Sequence, residues 1–195
     1  MPPLPPVTRA LLLINVAVFF LLPLLGGGLG ASLALWPIGP HFAPWQVGTY
    51  AFLHGSFGHL FFNMLGLWMF GSELERVWGD RRFMQFYGAS VLAAAVTQLI
   101  VTALMGSDYP TIGASGGLFG LLLAFAMMFP NRTILLFFVI PLKAKYLVLL
   151  YGLLELYQGA AVRDSGVAHF AHLGGMLGGL LMIRYWRGQP PFRRR

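Results

Sequence analysis

The stretch TIGASGGLFGLLLAFAMMF, Thr111 to Phe129, decides how the rest of the chain is read. Gly113, Gly116, Gly117 and Gly120 crowd around a single hydroxyl, Ser115, and an almost purely apolar run follows. Small residues at this spacing let helix backbones approach closely. They also clear space around a nucleophile. Packing and chemistry are both open readings of the same cluster.

The surrounding composition identifies the solvent. Of 195 residues, 57% are hydrophobic and 10% charged, against about 25% charged in an ordinary soluble domain. Mean hydropathy is +0.72. These values predict an all-α integral membrane protein with a single membrane domain over residues 1–195. At roughly 20 apolar residues per crossing, such a chain holds about six transmembrane helices.

The expected spans cover about 7–25, 57–77, 83–105, 115–129, 144–157 and 168–186. The apolar piece before the fifth is interrupted by Pro141, Lys143 and Lys145 and is expected at the inner interface. Between the first two spans lies ASLALWPIGPHFAPWQVGTYAFLHGSF, rich in aromatics and free of Lys and Arg. Aromatic rings favour the membrane interface, so this loop is expected partly in the outer leaflet. The opening MPPLPPVTRA and the apolar run after it read as a retained first helix rather than a cleaved signal.

Net charge is +7. On a soluble protein a strong basic balance suggests nucleic acid; here the basic residues flank spans, and no nucleic-acid partner is expected. Arg9, Arg76, Arg81, Arg82, Arg132, Lys143, Lys145, Arg184, Arg187, Arg193, Arg194 and Arg195 fall on one side, and Arg163 on the other. The excess of Lys and Arg on cytoplasmic loops then places both termini in the cytoplasm. Spans two, four and six begin at the outer face. The short termini suggest a bacterial inner (plasma) membrane. The absence of cysteine excludes disulfides, thiol catalysis and cysteine-ligated metal.

Ionisable and polar groups within a membrane usually face the protein interior and mark function. Three sets stand at the outer ends of their spans: His54, His59 and Asn63; Ser115; His169 and His172. His59 and Asn63, four residues apart, share a helix face. So do His172, Gly175 and Gly179. Two glycine faces suggest that spans four and six touch, which brings His172 beside Ser115. Gly113 and Gly116 would leave the serine uncrowded, and Gly117 and Gly120 would admit span six. A serine beside a histidine is a minimal activated nucleophile. Backbone N–H groups at a helix start, with His59 and Asn63, can supply oxyanion donors. Asp108 and Asp164 fall in outer loops and Glu155 in span five, so a Ser/His dyad is expected rather than a triad. His169 is expected at the aqueous rim, His54 as a support for His59, and His41 is assigned no role.

These residues resemble the rhomboid intramembrane serine proteases. HLFFN (His59–Asn63) matches that family's HxxxN, GASG (Gly113–Gly116) its GxSG, and AHLGGMLGG (Ala171–Gly179) its AHxxGxxxG. The match runs from Trp45 to about Leu181 in a minimal six-helix, bacterial form. The resemblance implies Ser115 as nucleophile and His172 as general base. It implies an oxyanion hole from His59, Asn63 and the Ser115 N–H, with no metal or cofactor. The implied reaction is endopeptidase cleavage of transmembrane protein substrates in the lipid bilayer, near the outer face. The family's first outer loop often carries a Trp-Arg pair; no Arg is present here. Some bacterial members stack a tyrosine on the histidine, where this chain has Phe119, which can stack but not hydrogen-bond.

Two other classes compete with this reading. Haem or metal binding through His59 and His172 leaves Ser115 and Asn63 without a role. A non-catalytic chaperone or channel on the same scaffold predicts that Ser115 tolerates replacement.

Overall fold

Polar groups set the ends of the helices. In the computed structural model, which describes residues 3–136, 139–161 and 168–192, helix α1 (Pro6–Leu21) starts on a proline, which is preorganised for a first helical turn. Its unpaired N–H groups are met by the buried Glu75 carboxylate. Val7 N donates to Oε1 at 2.8 Å, and Thr8 N and Oγ1 donate to Oε2 at 2.7 and 2.6 Å. A 3-10 turn (Leu22–Leu25) leads to α2 (Gly27–Leu33).

The aromatic loop that follows is organised by α3 (Gln46–Thr49). Buried Gln46 accepts from Trp36 N and donates to the carbonyls of Ser32 and His41. The loop therefore has a polar anchor directly after Trp45, without an arginine. Leu35 and Thr111 exchange backbone hydrogen bonds of 3.0 and 2.8 Å, and Gly113 N donates to Tyr50 O at 2.9 Å. The loop thus holds the segment entering the serine helix.

Helix α4 (Phe57–Gly66), a π-helical turn (Leu67–Gly71) and α5 (Ser72–Trp78) run end to end over the predicted second span. Next come α6 (Asp80–Met105) and α7 (Ser115–Met128). An antiparallel hairpin of β1 (Thr133–Leu136) and β2 (Ile140–Lys143) corrects the all-α expectation. Pro130 and Pro141 bar a helix across this piece, and it pairs with itself instead. Helix α8 (Ala144–Ala161) and α9 (His169–Trp186) complete the chain. Arg163, Asp164, Arg193, Arg194 and Arg195 lie outside the described residues.

The protein is mostly helical, and among the described residues two segments are long and apolar enough to cross a membrane, Pro6–Leu25 and Asp80–Met105. The surface is apolar where these helices face outward: Leu13, Phe20, Val96, Ile100 and Leu104 are exposed. The interior holds Asn15, Asn63, Glu75, Ser90, His169 and His172. Polar inside and apolar outside suits a hydrocarbon solvent.

Helix α9 is wedged between α6 and α7 by two glycine faces. A Cβ on Gly174 or Gly178 would strike Thr97 or Ala93 of α6. One on Gly175 would strike the Gly116 carbonyl, and one on Gly179 would crowd the Gly120 backbone. The expected contact between spans four and six is therefore present, with one change of partner. Gly116 and Gly120, four residues apart on one face, lay their backbone against α9 while their missing side chains admit Ala94 and Ser90 of α6. Gly117 faces Tyr87 and Val91 of α6.

Any larger residue at Gly175 should pry α7 from α9. Overpacking a close contact costs about 1–3 kcal/mol, so Gly175→Val should lower the thermal unfolding midpoint in detergent. Gly28→Val serves as the control, because a Cβ there meets nothing within 4 Å.

Candidate functional site

Three separate local features deliver the predicted polar residues to one place. Gly113 has φ +126°, a conformation that favours glycine. It turns the chain so that α7 begins at Ser115. On α4, Ser56 caps the helix by accepting from His59 N at 3.1 Å, which fixes where His59 and Asn63 emerge. The glycine seam sets His172 opposite Ser115. The result is a contact of 2.7 Å between His172 Nε2 and Ser115 Oγ.

The surroundings of this pair are tight. The His172 ring stacks on Phe119 with centroids 4.3 Å apart and planes 3° from parallel. Phe119 in turn meets Tyr151 of α8 edge-on at 6.1 Å. A Cβ on Gly113 would lie 2.7 Å from His59 Nε2 and 3.5 Å from Ser115 Oγ, so Gly113 separates imidazole and hydroxyl by little more than a missing side chain. On Gly116 a Cβ would press on Ala94 and the Tyr50 hydroxyl. Gly113 thus leaves room beside the Ser115 hydroxyl, whereas the side chain missing from Gly116 makes room for α6 and Tyr50 rather than for the serine.

Asn63 is buried one turn beyond His59 and donates from Nδ2 to the His59 carbonyl at 2.8 Å. That bond uses one of its two amide protons and leaves the second to serve another acceptor. His54 packs edge-to-face on His59, with centroids at 4.9 Å and planes at 67°.

Two expectations are corrected. His169 is buried rather than at a rim, and its Nδ1 lies 2.6 Å from Glu155 Oε2. Glu155 is not remote: the same Oε2 lies 2.9 Å from His172 Nδ1. Sequence reasoning missed this acid because the rotation of α8 about its own axis is not written in spacing alone. A signal was present. Tyr151 and Glu155 are four residues apart, hence on one face, and a carboxylate inside an apolar span is itself a functional pointer. Glu155, His169 and His172 offer ligand-type atoms within 4.8 Å of one another. The predicted pairing of His59 with His172 as metal ligands is not the cluster that forms among the described residues.

The Rhomboid domain family matches residues 41–188 of this chain. The chain belongs to the rhomboid family. It is 38% identical over 137 residues to mitochondrial Rhomboid protein 1 of Saccharomyces cerevisiae, covering 67% of this chain and 38% of that protein. It is 35% identical over 136 residues to rhomboid protease GluP of Bacillus subtilis, covering 69% and 24%. Against rhomboid protease GlpG of Klebsiella pneumoniae it is 29% identical over 183 residues, covering 91% and 62%. These curated relatives are longer than the region shared with this chain, which spans less than two thirds of each.

Burial, with the neighbouring His59, pushes the His54 imidazole from 6.5 down to about 4. A folded-state value below the unfolded one gives stability that is present above pH about 6.5 and lost as pH falls through about 4. The unfolding midpoint should therefore drop on acidification across that window. His54→Gln should flatten that part of the drop; an unchanged acid sensitivity in the variant would remove His54 as its source.

Proposed function

We propose that this rhomboid-family protein is an intramembrane serine endopeptidase that cuts transmembrane segments of membrane proteins. The observation that carries this reading is the 2.7 Å contact between Ser115 Oγ and His172 Nε2, made by residues 57 positions apart. Ser115 attacks the scissile carbonyl as its proton passes to His172. His172 returns that proton to the leaving amine. The Ser115 N–H, His59 and Asn63 stabilise the developing oxyanion. Water then hydrolyses the acyl-enzyme, with His172 again acting as base.

The proposed setting is a minimal six-helix bacterial form in the inner membrane, both termini cytoplasmic and the site opening outward. Support comes from the grouping of basic loops. Arg132 pairs with Glu73 at 2.9 Å, Arg76 reaches the Pro3 carbonyl at 3.2 Å, and Arg82 lies over the Trp186 ring at 5.8 Å. These contacts join the N-terminus, the ends of α5, α7 and α9 and the start of α6. Substrate enters laterally, because a transmembrane helix hides its carbonyls in its own hydrogen bonds and must unwind locally to be cut.

Cleavage of a model transmembrane substrate in proteoliposomes tests this directly. Ser115→Ala and His172→Ala should abolish turnover while retaining the wild-type unfolding midpoint; cleavage by Ser115→Ala would end the protease reading. Asn63→Ala should lower kcat by roughly 100- to 1,000-fold, the range for one lost oxyanion donor. A metal-dependent reading has one observation in its favour, the Glu155, His169 and His172 cluster. It predicts that turnover falls with a chelator and returns with zinc, whereas the serine reading predicts no change.

A further inference from the structure

We infer that Glu155 is a positioning residue that extends the dyad into a Ser115–His172–Glu155 relay. The inference rests on the proteolytic reading and adds a carboxylate to it. Three helices meet here. Ser115 begins α7, His172 lies in the first turn of α9, and Glu155 lies on α8. One carboxylate oxygen, Oε2, faces Nδ1 of both His169 and His172, at 2.6 and 2.9 Å. The opposite nitrogen of His172, Nε2, faces Ser115 Oγ.

The chemistry of a histidine base dictates what such a carboxylate does. To take the Ser115 proton, Nε2 must be bare, so in neutral imidazole the ring proton must sit on Nδ1. A carboxylate beside Nδ1 favours that tautomer and stabilises the imidazolium that forms. The balance is simple. The Ser115 O–H proton moves to His172 Nε2 as Oγ bonds to the carbonyl carbon. It then moves to the amine nitrogen as the C–N bond breaks. Glu155 keeps its charge throughout and touches neither substrate atom.

Phe119 explains why a second constraint is needed. Stacking at 4.3 Å and 3° fixes the plane of the His172 ring. It does not fix rotation of the ring within that plane, because a phenyl face offers no directional partner. Ser115 and Glu155 hold opposite ring nitrogens and set that rotation. The approach of Oε2 to His172 lies off the straight hydrogen-bond line, so its action is mainly electrostatic. The straighter bond from His169 Nδ1 holds the carboxylate in place. The buried His169 is thereby given a use: it anchors Glu155.

A packing role and a charge role predict opposite orders of variants. Glu155→Gln keeps the shape and removes the charge; Glu155→Asp keeps the charge and shortens the side chain. Both are compared with the full-length wild type in proteoliposomes on one transmembrane substrate, with unfolding midpoints recorded. Glu155→Gln should lower kcat by about 100- to 10,000-fold, with KM within about threefold, as expected for loss of an interaction made in the transition state. Glu155→Asp should retain more kcat than Glu155→Gln. Wild-type kcat in Glu155→Gln, or a higher kcat in Glu155→Gln than in Glu155→Asp, overturns the relay. If Glu155→Gln does not fold, Glu155→Asp decides alone: turnover no better than that of Glu155→Ala overturns it. Wild-type cleavage abolished in Ser115→Ala keeps the protease reading intact under any of these results, so the two failures are told apart.

Discussion

The backbone contact between α7 and α9 is the constraint on which the rest depends. Gly175 lies against the Gly116 carbonyl, and Gly179 against Gly120. No side chain fits between these helices. That closeness lets an imidazole on one helix reach a hydroxyl on the other at 2.7 Å. Two further glycines, Gly174 and Gly178, seat the other face of α9 on α6. Lipid tails are as apolar as leucine, so helices in a bilayer gain association mainly from close packing of this kind. The same residues that assemble the fold therefore aim the proposed chemistry.

A serine and a histidine at the starts of two neighbouring helices would be of little use without fixed orientation. The chain obtains it from elements that carry no reacting atom. The aromatic loop, ordered around Gln46, reaches the segment before Ser115 through Leu35, Thr111, Tyr50 and Gly113. Phe119 sets the plane of His172, and Glu155 lies at its far nitrogen. Glu75, elsewhere, ties the start of α1 to α5. Gln46 and Glu75 are buried and satisfy backbone N–H groups where hydrocarbon cannot, and the partly buried Phe119 and Glu155 flank the imidazole.

Much of this was readable from residue spacing, and the failures share a cause. Histidines, asparagine and serine were legible as one set because they stand at the starts of alternate expected spans. The small-residue pairs foretold that the helices bearing Ser115 and His172 touch. What spacing did not supply was rotation between helices that are not joined by an evident seam. Gly117 was turned toward the wrong neighbour for that reason, and Glu155 and His169 were separated from the site although both line it. The hairpin at Thr133–Lys143 was missed because a short apolar run with lysines reads equally as an interfacial segment. Gln46 stayed hidden because its role rests on backbone groups of Ser32, Trp36 and His41 that only the folded loop brings together.

The central claim is that Ser115 is a nucleophile made reactive by His172. Covalent labelling by a fluorophosphonate, followed by mass-spectrometric mapping of the modified peptide, tests it without any assumption about substrate. A single adduct on Ser115 that is strongly reduced in folded His172→Ala is the predicted result. An adduct elsewhere, or labelling of Ser115 that is unaffected by loss of His172, would contradict it.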